Sequence, residues 1–317
     1  MQAYLKKLSS SHKTCYAILS ELADSLSSYL QSNLALPEIS PFLDLAPLIA
    51  NIRLYKDTFE INAIKKAIEY SCQAHEAVMS RAKPGLYEYQ LEASFLSCLH
   101  NKGYRDVAYP CIVAAGGNAC ILHYNDHGSQ LMKGDLLLVD AGAEVDGYAA
   151  DITRTYPVGT TFSPLQKMIY EAVLDVQEQV IAMVKPGVDF GQLNRSATSG
   201  LTQALIDFGL IKGPLDQAID NESFKPFYFH SVGHWLGLDV HDVGAYRQGD
   251  QPIVFEPGMV LTVEPGLYFS SDIEGLSESW HNIGVRIEDD ILVTETGCEV
   301  LSQKCPKSVD ALLEMKK

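Results

Sequence analysis

Asp140 closes the run Leu136-Leu137-Leu138-Val139, which has the composition of a strand buried on both faces. A carboxylate there is costly unless it is paired or holds a metal ion. Asp146-Gly147 follows, a two-residue hairpin signal, and the return strand YAADITRTY carries Asp151. In that register position 145 faces 148 and 140 faces 153, so Asp151 lies diagonal to Asp140 on one face. Two such carboxylates repel, and either one is protonated or a cation sits between them. The bland alternative for each acid alone is an ion pair with Arg154 or a turn cap.

Two further acids have similar surroundings. GDLLLVDAG (134–142) is echoed by GMVLTVEPG (258–266), which ends in Glu264. In NIGVRIEDDILVTETG, read as a strand, Arg286 and Glu288 share one face while Val285 and Ile287 share the other. Glu288 has apolar strand on both sides and joins the buried acids. Asp289 and Asp290 are read as a solvated turn. The segment HSVGHWLGLDVHD supplies His230, His234 and His241, three of the nine histidines within twelve positions. Gly233 and Gly237 argue against a helix there and allow close backbone approach or a bulge. His281 and His12 are read as ordinary structural histidines.

Asp140, Asp151, Glu264 and Glu288 with one or more histidines make a hard, oxygen-rich donor set. Structural zinc prefers cysteine and histidine, whereas this set suits Mn(II), Fe(II), Co(II) or Zn(II) in an open catalytic site. Four negative charges exceed what one divalent ion balances, so two ions are expected, an arrangement that activates water and stabilises an oxyanion.

The elements that must position these residues are repeated. AVMSRAKPGLYEYQLEASFLSCL (77–99) aligns with QVIAMVKPGVDFGQLNRSATSGL (179–201) at a constant offset of 102, with Lys83/Lys185, Pro84/Pro186, Gly85/Gly187, Gln90/Gln192 and Leu91/Leu193 coinciding. The repeat is too long for a solenoid and implies two fused half-domains. Apolar spacing predicts helices over 13–34, 58–81 and 88–101. Prolines at 37, 41 and 47 make 35–52 a linker or domain boundary.

With 317 residues, 47% hydrophobic and 20% charged, the chain is an ordinary globular one of about two domains or one large fold. No apolar run reaches the roughly 18 residues that span a bilayer, and no signal peptide is expected. A net charge of −16 disfavours nucleic acid and anionic membranes as partners. Seven scattered cysteines read as reduced thiols of a cytoplasmic protein, not a disulfide framework.

The order Asp, Asp, His, Glu, Glu on a duplicated framework resembles the pita-bread metallopeptidases. ILHY, DAGAEVDGYAADITRTYPV, HSVGHWLGLDVHDVG, EPGMVLTVEPGLY and GVRIEDDILVTETG resemble the aminopeptidase P branch, with prolidase close behind, from about Arg53 to Ser302. The resemblance implies an α+β fold, with a curved, mostly antiparallel sheet covered by helices, in a catalytic domain over 53–317 after a remnant of an N-terminal domain at 1–52. By matching position, Asp140 binds one metal, Asp151 and Glu288 bridge both, and His234 and Glu264 complete the second. Glu264 also shuttles a proton, His123 and His241 touch the substrate or the tetrahedral intermediate, and His230 and Arg286 support the pocket. The implied reaction removes the N-terminal residue from peptides beginning Xaa-Pro with two divalent ions, Mn(II) foremost.

This chain departs from the family pattern at Ser231, where glycine is usual, and in NDHG, where His127 has no assigned role. The short stretch before Arg53 bears on peptide length and on homo-oligomer formation. Prolidase action on Xaa-Pro dipeptides is the nearer alternative, and a non-catalytic binding module on the same fold is the more distant one. Such modules usually lose metal ligands, as creatinase-type enzymes do, whereas all five positions are filled here. Methionine aminopeptidase shares fold and ligands, but Trp235 and LGLDVHD fit the proline-specific branch better.

Overall fold

A computed structural model describes Tyr16, Ala17 and residues 43–316. The chain forms two compact units, Met1–Leu54 and Tyr55–Lys317. In the first, β1 (Tyr16–Ala17) pairs in parallel with β2 (Leu43–Asp44). The helix expected over 13–34 lies outside the described residues apart from those two, which are extended. The linker expected over 35–52 is helical in its last part, as α1 (Ala46–Leu54). Pro47 is tolerated because it falls in the first turn, where a missing N–H removes no helical bond.

The second unit begins with α2 (Thr58–Arg81) and α3 (Glu88–His100), both as expected. Asp57 caps α2 by accepting from the Phe59 and Glu60 N–H groups at 2.7 and 2.9 Å, while Glu60 accepts the Asp57 N–H at 2.8 Å. Then come β3 (Ile112–Ala115), β4 (Leu136–Asp140), the hairpin of β5 (Glu144–Val145) and β6 (Tyr148–Ala149), and β7 (Thr153–Pro157). The second half supplies α4 (Pro164–Met183), α5 (Phe190–Asp207) and α6 (Leu215–Asp220), followed by the hairpin of β8 (Arg247–Gln248) and β9 (Gln251–Pro252). It ends with β10 (Val260–Val263), β11 (Gly266–Phe269), β12 (Ile283–Arg286), β13 (Asp289–Val293), β14 (Cys298–Val300) and α7 (Val309–Glu314). The sheets β3-β4-β7, β10-β13-β14 and β11-β12 are all antiparallel. Helices paired as α2 with α3 and α4 with α5 accompany them, which is the α+β architecture expected.

The repeat has a physical basis. Gln90 and Gln192 play the same part: each accepts, through its side-chain oxygen, the N–H of the residue that starts its helix, Tyr87 at 2.9 Å and Asp189 at 3.0 Å. Gly85 and Gly187 both have positive φ, 90° and 88°, a conformation open to glycine. The Gly85 N–H donates to the Leu131 carbonyl and the Leu131 N–H to Leu86, as the Gly187 N–H donates to Phe255 and the Phe255 N–H to Val188. Each half therefore clips its helix start to the segment that leads into the strand before Asp140 or Glu264.

The hairpin register is as expected: Val145 lies opposite Tyr148 and Asp140 opposite Thr153. Asp146 and Gly147 both take positive φ, 54° and 85°, as the primed turn requires. The return segment is two strands, however, broken at 150–152. The backbones approach closely there, and position 142 must be glycine because a Cβ would lie 1.7 Å from the Ala150 carbonyl oxygen. Across it the Ala141 N–H still donates to Ile152 at 3.1 Å and the Ala150 N–H to Ala143 at 3.0 Å, so the register carries through.

Candidate metal centre

Asp140 ends β4 and Asp151 precedes β7. Glu264 follows β10, and Glu288 lies between β12 and β13. The register Val263 opposite Asp289 brings Glu264 beside Glu288, as the register Asp140 opposite Thr153 brings Asp140 near Asp151. Segment 230–244 is irregular, and the Thr262 N–H donates to the His234 carbonyl at 2.9 Å. Gly233 permits this crossing, since a Cβ would lie 2.0 Å from the Thr262 carbonyl oxygen.

Asp151, His234 and Glu288 each offer a ligand atom within 4.8 Å of one another. His234 Nε2 lies 3.3 Å from Asp151 Oδ2 and 3.4 Å from Glu264 Oε1. Asp140 joins the same group through Tyr109, whose hydroxyl is 2.6 Å from Asp140 Oδ1 and 2.5 Å from Asp151 Oδ1. These residues line a cavity of about 740 Å³ together with His123, His230, His241 and Arg286.

The donor chemistry fits metal binding. The His234 Nδ1 hydrogen faces the Trp235 carbonyl at 3.0 Å, which leaves Nε2 directed at the carboxylates, the orientation a ligating histidine needs. Burial, followed by the charge of its acidic neighbours, raises Glu288 well above the usual carboxylate range. Burial also raises Asp151, against the opposing hydrogen bond from His234, and lifts Glu264 to about 7. Burial alone would lower His234, but the Asp151 hydrogen bond and the Glu264 charge outweigh it and bring the ring to about 9. Acids that resist ionising and an imidazole that holds its proton are what a carboxylate cluster shows when protons do the work of a multivalent cation.

Arg286 anchors the supporting side. Its Nη2 donates to Asp140 Oδ2 at 2.6 Å and its Nη1 to the Tyr268 hydroxyl at 3.0 Å. Tyr268 in turn reaches His230 Nε2 at 2.8 Å, and His230 Nδ1 faces the Ser231 carbonyl at 2.8 Å. Gly266 lies opposite Arg286 and leaves the space that the Tyr268 hydroxyl occupies. Burial, reinforced by the Arg286 charge, lowers His230 to about 4, so the ring is neutral. His241 stacks edge-on against His234 with ring centroids 4.3 Å apart.

Asp289 and Asp290, expected in a solvated turn, are both fully buried. Asp289 has cationic partners in Arg154 and Lys307, and Asp290 accepts the Asp151 N–H at 3.1 Å and donates its own N–H to Ser302 Oγ at 3.1 Å. Arg154 therefore pairs with Asp289, not with a site acid. His281 is structural, facing the Leu276 carbonyl, and His127 pairs with Glu92 at 3.1 Å. His12 lies outside the described residues. Tyr109, Thr153 and Tyr268 went unmarked in the sequence reading. Thr153, which donates to Glu288 Oε2 at 2.7 Å, was legible in principle as the residue facing Asp140. Nothing in the spacing around Tyr109 distinguishes it.

A duplicated α+β unit that gathers three buried acids, a half-buried fourth and a histidine at one cavity has the makings of a metallopeptidase, and residues 62–295 match the model of metallopeptidase family M24; the chain belongs to that family. It is 41% identical over 286 residues to the Xaa-Pro aminopeptidase of Escherichia coli strain K12, covering 89% of this chain and 64% of that protein. It is 43% identical over 270 residues to the Xaa-Pro aminopeptidase of Haemophilus influenzae, covering 85% and 62%. The chain thus spans somewhat under two thirds of the length of these curated relatives. Among solved structures, the aminopeptidase PepP of Pseudomonas aeruginosa superposes with a TM-score of 0.88 at 42% identity, covering 95% of this chain and 70% of that one. Fold and family are therefore those the sequence led us to expect. No described helix is long and apolar enough to cross a membrane.

Proposed function

We propose that this chain removes the N-terminal residue from peptides whose second residue is proline, with two divalent ions held by Asp140, Asp151, His234, Glu264 and Glu288. The observation that carries the reading is the convergence of Asp151, His234 and Glu288 within 4.8 Å, in the cavity that also holds His123, His230 and His241. The named activity of the curated relatives supports the proline specificity. Divalent ions, when bound, supply the Lewis acidity that generates a nucleophile from water near neutral pH and polarises a carbonyl. Mn(II) suits the oxygen-rich donors, and Zn(II), Co(II) and Fe(II) share them.

The side chains do the rest. Glu264, which lines the cavity beside His234, is placed to take up and return a proton. Thr262 Oγ1, 3.4 Å from Glu264 Oε1, and His234 hold that carboxylate in place. Arg286 orients Asp140, and the Arg286–Tyr268–His230 chain fixes a neutral imidazole on one wall. His123 and His241 face the substrate from the loops that carry them. The acidic cluster provides a counter-charge for a free α-amine, which suits an exopeptidase. The six described cysteines are free thiols, which fits a reducing compartment such as the cytoplasm.

The test is metal-stripped protein reloaded with Mn(II) and assayed on an Xaa-Pro dipeptide and an Xaa-Pro tripeptide, with metal content measured alongside. Restored tripeptide cleavage supports the aminopeptidase reading, and cleavage of the dipeptide alone turns it to prolidase. Fully loaded protein inert to every Xaa-Pro peptide overturns the catalytic reading.

A further inference from the structure

Glu88 opens α3 and is completely buried, at 0% exposure. All its partners are neutral donors from one stretch of chain. Oε1 accepts from the Ala115 N–H at 2.7 Å and from Asn118 Nδ2 at 2.9 Å. Oε2 accepts from the Tyr124 hydroxyl at 2.7 Å and from the Ser129 N–H at 3.0 Å. Four good bonds are enough to offset the desolvation of a buried carboxylate. Their donors bracket the loop 116–128, which carries Leu122 and His123 into the cavity wall. Tyr124 is buried against Ile112, Ala114, Ala119 and Leu138, so its neighbour His123 is left on the cavity side. Ala115 ends β3, whose other end, Ile112, lies opposite Asp140.

The other half of the repeat makes the same use of the same position. Glu88 plus the offset of 102 is Phe190, which opens α5. Phe190 packs against Trp235, Tyr246 and Phe255 with ring centroids 4.7 to 5.2 Å away. Those aromatic residues bracket the loop that carries His241. One duplicated helix-start position thus pins both substrate-facing loops, by a buried carboxylate in the first half and by an aromatic ring in the second.

We propose that Glu88 is a positioning residue that holds His123 in its working place through Tyr124, Asn118 and the 115 and 129 backbone amides. The catalytic part of this inference rests on the aminopeptidase reading above. Glutamine at 88 turns one acceptor into a donor that faces donors, and the Ser129 or Ala115 N–H then loses its partner. The loop shifts, and a displacement of about 1 Å at a substrate-contacting group can cost on the order of 10²-fold.

The experiment compares the Mn(II)-loaded 317-residue chain with Glu88→Gln, Tyr124→Phe, His123→Ala and the Glu88→Gln/His123→Ala double variant. We expect Glu88→Gln to retain its metal and to lower kcat/KM on an Xaa-Pro tripeptide by about 10²-fold, with Tyr124→Phe milder. The double variant should be no slower than His123→Ala alone, because the two residues act as one unit. Losses that multiply in the double variant, or a Glu88→Gln rate equal to wild type, overturn the proposal. Histidine-ring NMR on protein loaded with diamagnetic Zn(II) in place of paramagnetic Mn(II) gives a readout independent of turnover: the His123 ring signals should shift or broaden in Glu88→Gln and Tyr124→Phe, while those of His75, buried on α2, stay put. If the wild-type protein cleaves no Xaa-Pro peptide, the activity reading fails, and the NMR arm alone decides the positioning role. Unmoved His123 signals overturn it, and if Glu88→Gln does not fold, the same criterion applied to Tyr124→Phe decides.

Discussion

Arg154 and Asp289 form an ion pair of 2.7 Å in which neither side chain is exposed to solvent. Arg154 lies three residues after Asp151, and Asp289 directly follows Glu288, so the pair ties together the two strands that bring site acids to the cavity. Arg154 Nη1 also donates to the Glu288 carbonyl. Lys307 reaches Asp289 Oδ2 at 2.8 Å, and although burial alone would raise Asp289, the two cations hold it well below the usual carboxylate range. Removing one member of a buried pair leaves an uncompensated charge and costs about 3–5 kcal/mol. Asp289→Asn should lower the urea unfolding free energy by that amount. A loss under about 1 kcal/mol, the range typical of exposed pairs, would show that the pair does not clamp the strands.

Tyr109 places one hydroxyl between two carboxylates, Asp140 and Asp151. Groups that orient ligands typically carry 10–100-fold in metal affinity or activity. Tyr109→Phe should therefore weaken Mn(II) binding or tripeptide turnover by about 10–100-fold and leave the fold intact. Asp151→Asn, which alters a proposed bridging ligand, should remove turnover altogether. Calorimetric titration with Mn(II) and the peptide assay check both, and a Tyr109→Phe protein with wild-type affinity and turnover would contradict the role.

Metal-stripped protein should lose stability as the pH rises. His234 goes from its ordinary 6.5 to about 9 on folding. The folded chain holds this proton more tightly, so the stabilisation is complete below pH 6.5 and is lost as pH rises through 9. Glu264, raised from 4.5 to about 7, acts in the same direction at lower pH. His230 and His75, both lowered to about 4, act oppositely: their contribution is present above 6.5 and is lost as pH falls through 4. Between 7 and 9 His234 therefore pulls stability down, Glu288 and Asp290, which burial also raises, act in the same direction, and Lys316, which burial lowers to about 8, opposes them above that pH; the net fall should be on the order of 1 kcal/mol or more. Saturating Mn(II) should remove the decline, because metal binding is favoured by loss of that proton. Denaturant titrations across that range with and without metal read it directly, and a flat or rising metal-free profile would contradict the assignment.

Gly233 lies where a Cβ would approach the Thr262 carbonyl oxygen to 2.0 Å. Gly233→Ala must push the 230–234 segment off β10, displacing His234 from Asp151 and Glu264. Overpacking of this kind costs about 1–3 kcal/mol, and Mn(II) affinity should fall with it. The melting temperature and a metal titration on one preparation measure the two effects together.

By itself, the sequence determined the parts whose causes are local. Asp146-Gly147 dictated a primed turn, the turn set Asp140 opposite Thr153, and side-chain alternation then fixed Asp151 near Asp140. Gln90 and Gln192 marked the starts of two equivalent helices, and the buried character of 136–139 made Asp140 conspicuous. The motifs around these residues were enough to indicate the family. Tertiary structure alone decided which acids are inside and what they touch. Asp289 and Asp290 look like a solvated turn until Arg154 and Lys307 meet the first and the Asp151 N–H and Ser302 meet the second, across separations from 12 to 139 residues. Tyr109 gains its place only when β3 pairs with β4, and Glu88 only when the 115–129 loop folds over α3. Periodicity and turn chemistry act over a few residues, whereas the burial of a charge depends on a partner brought from far along the chain.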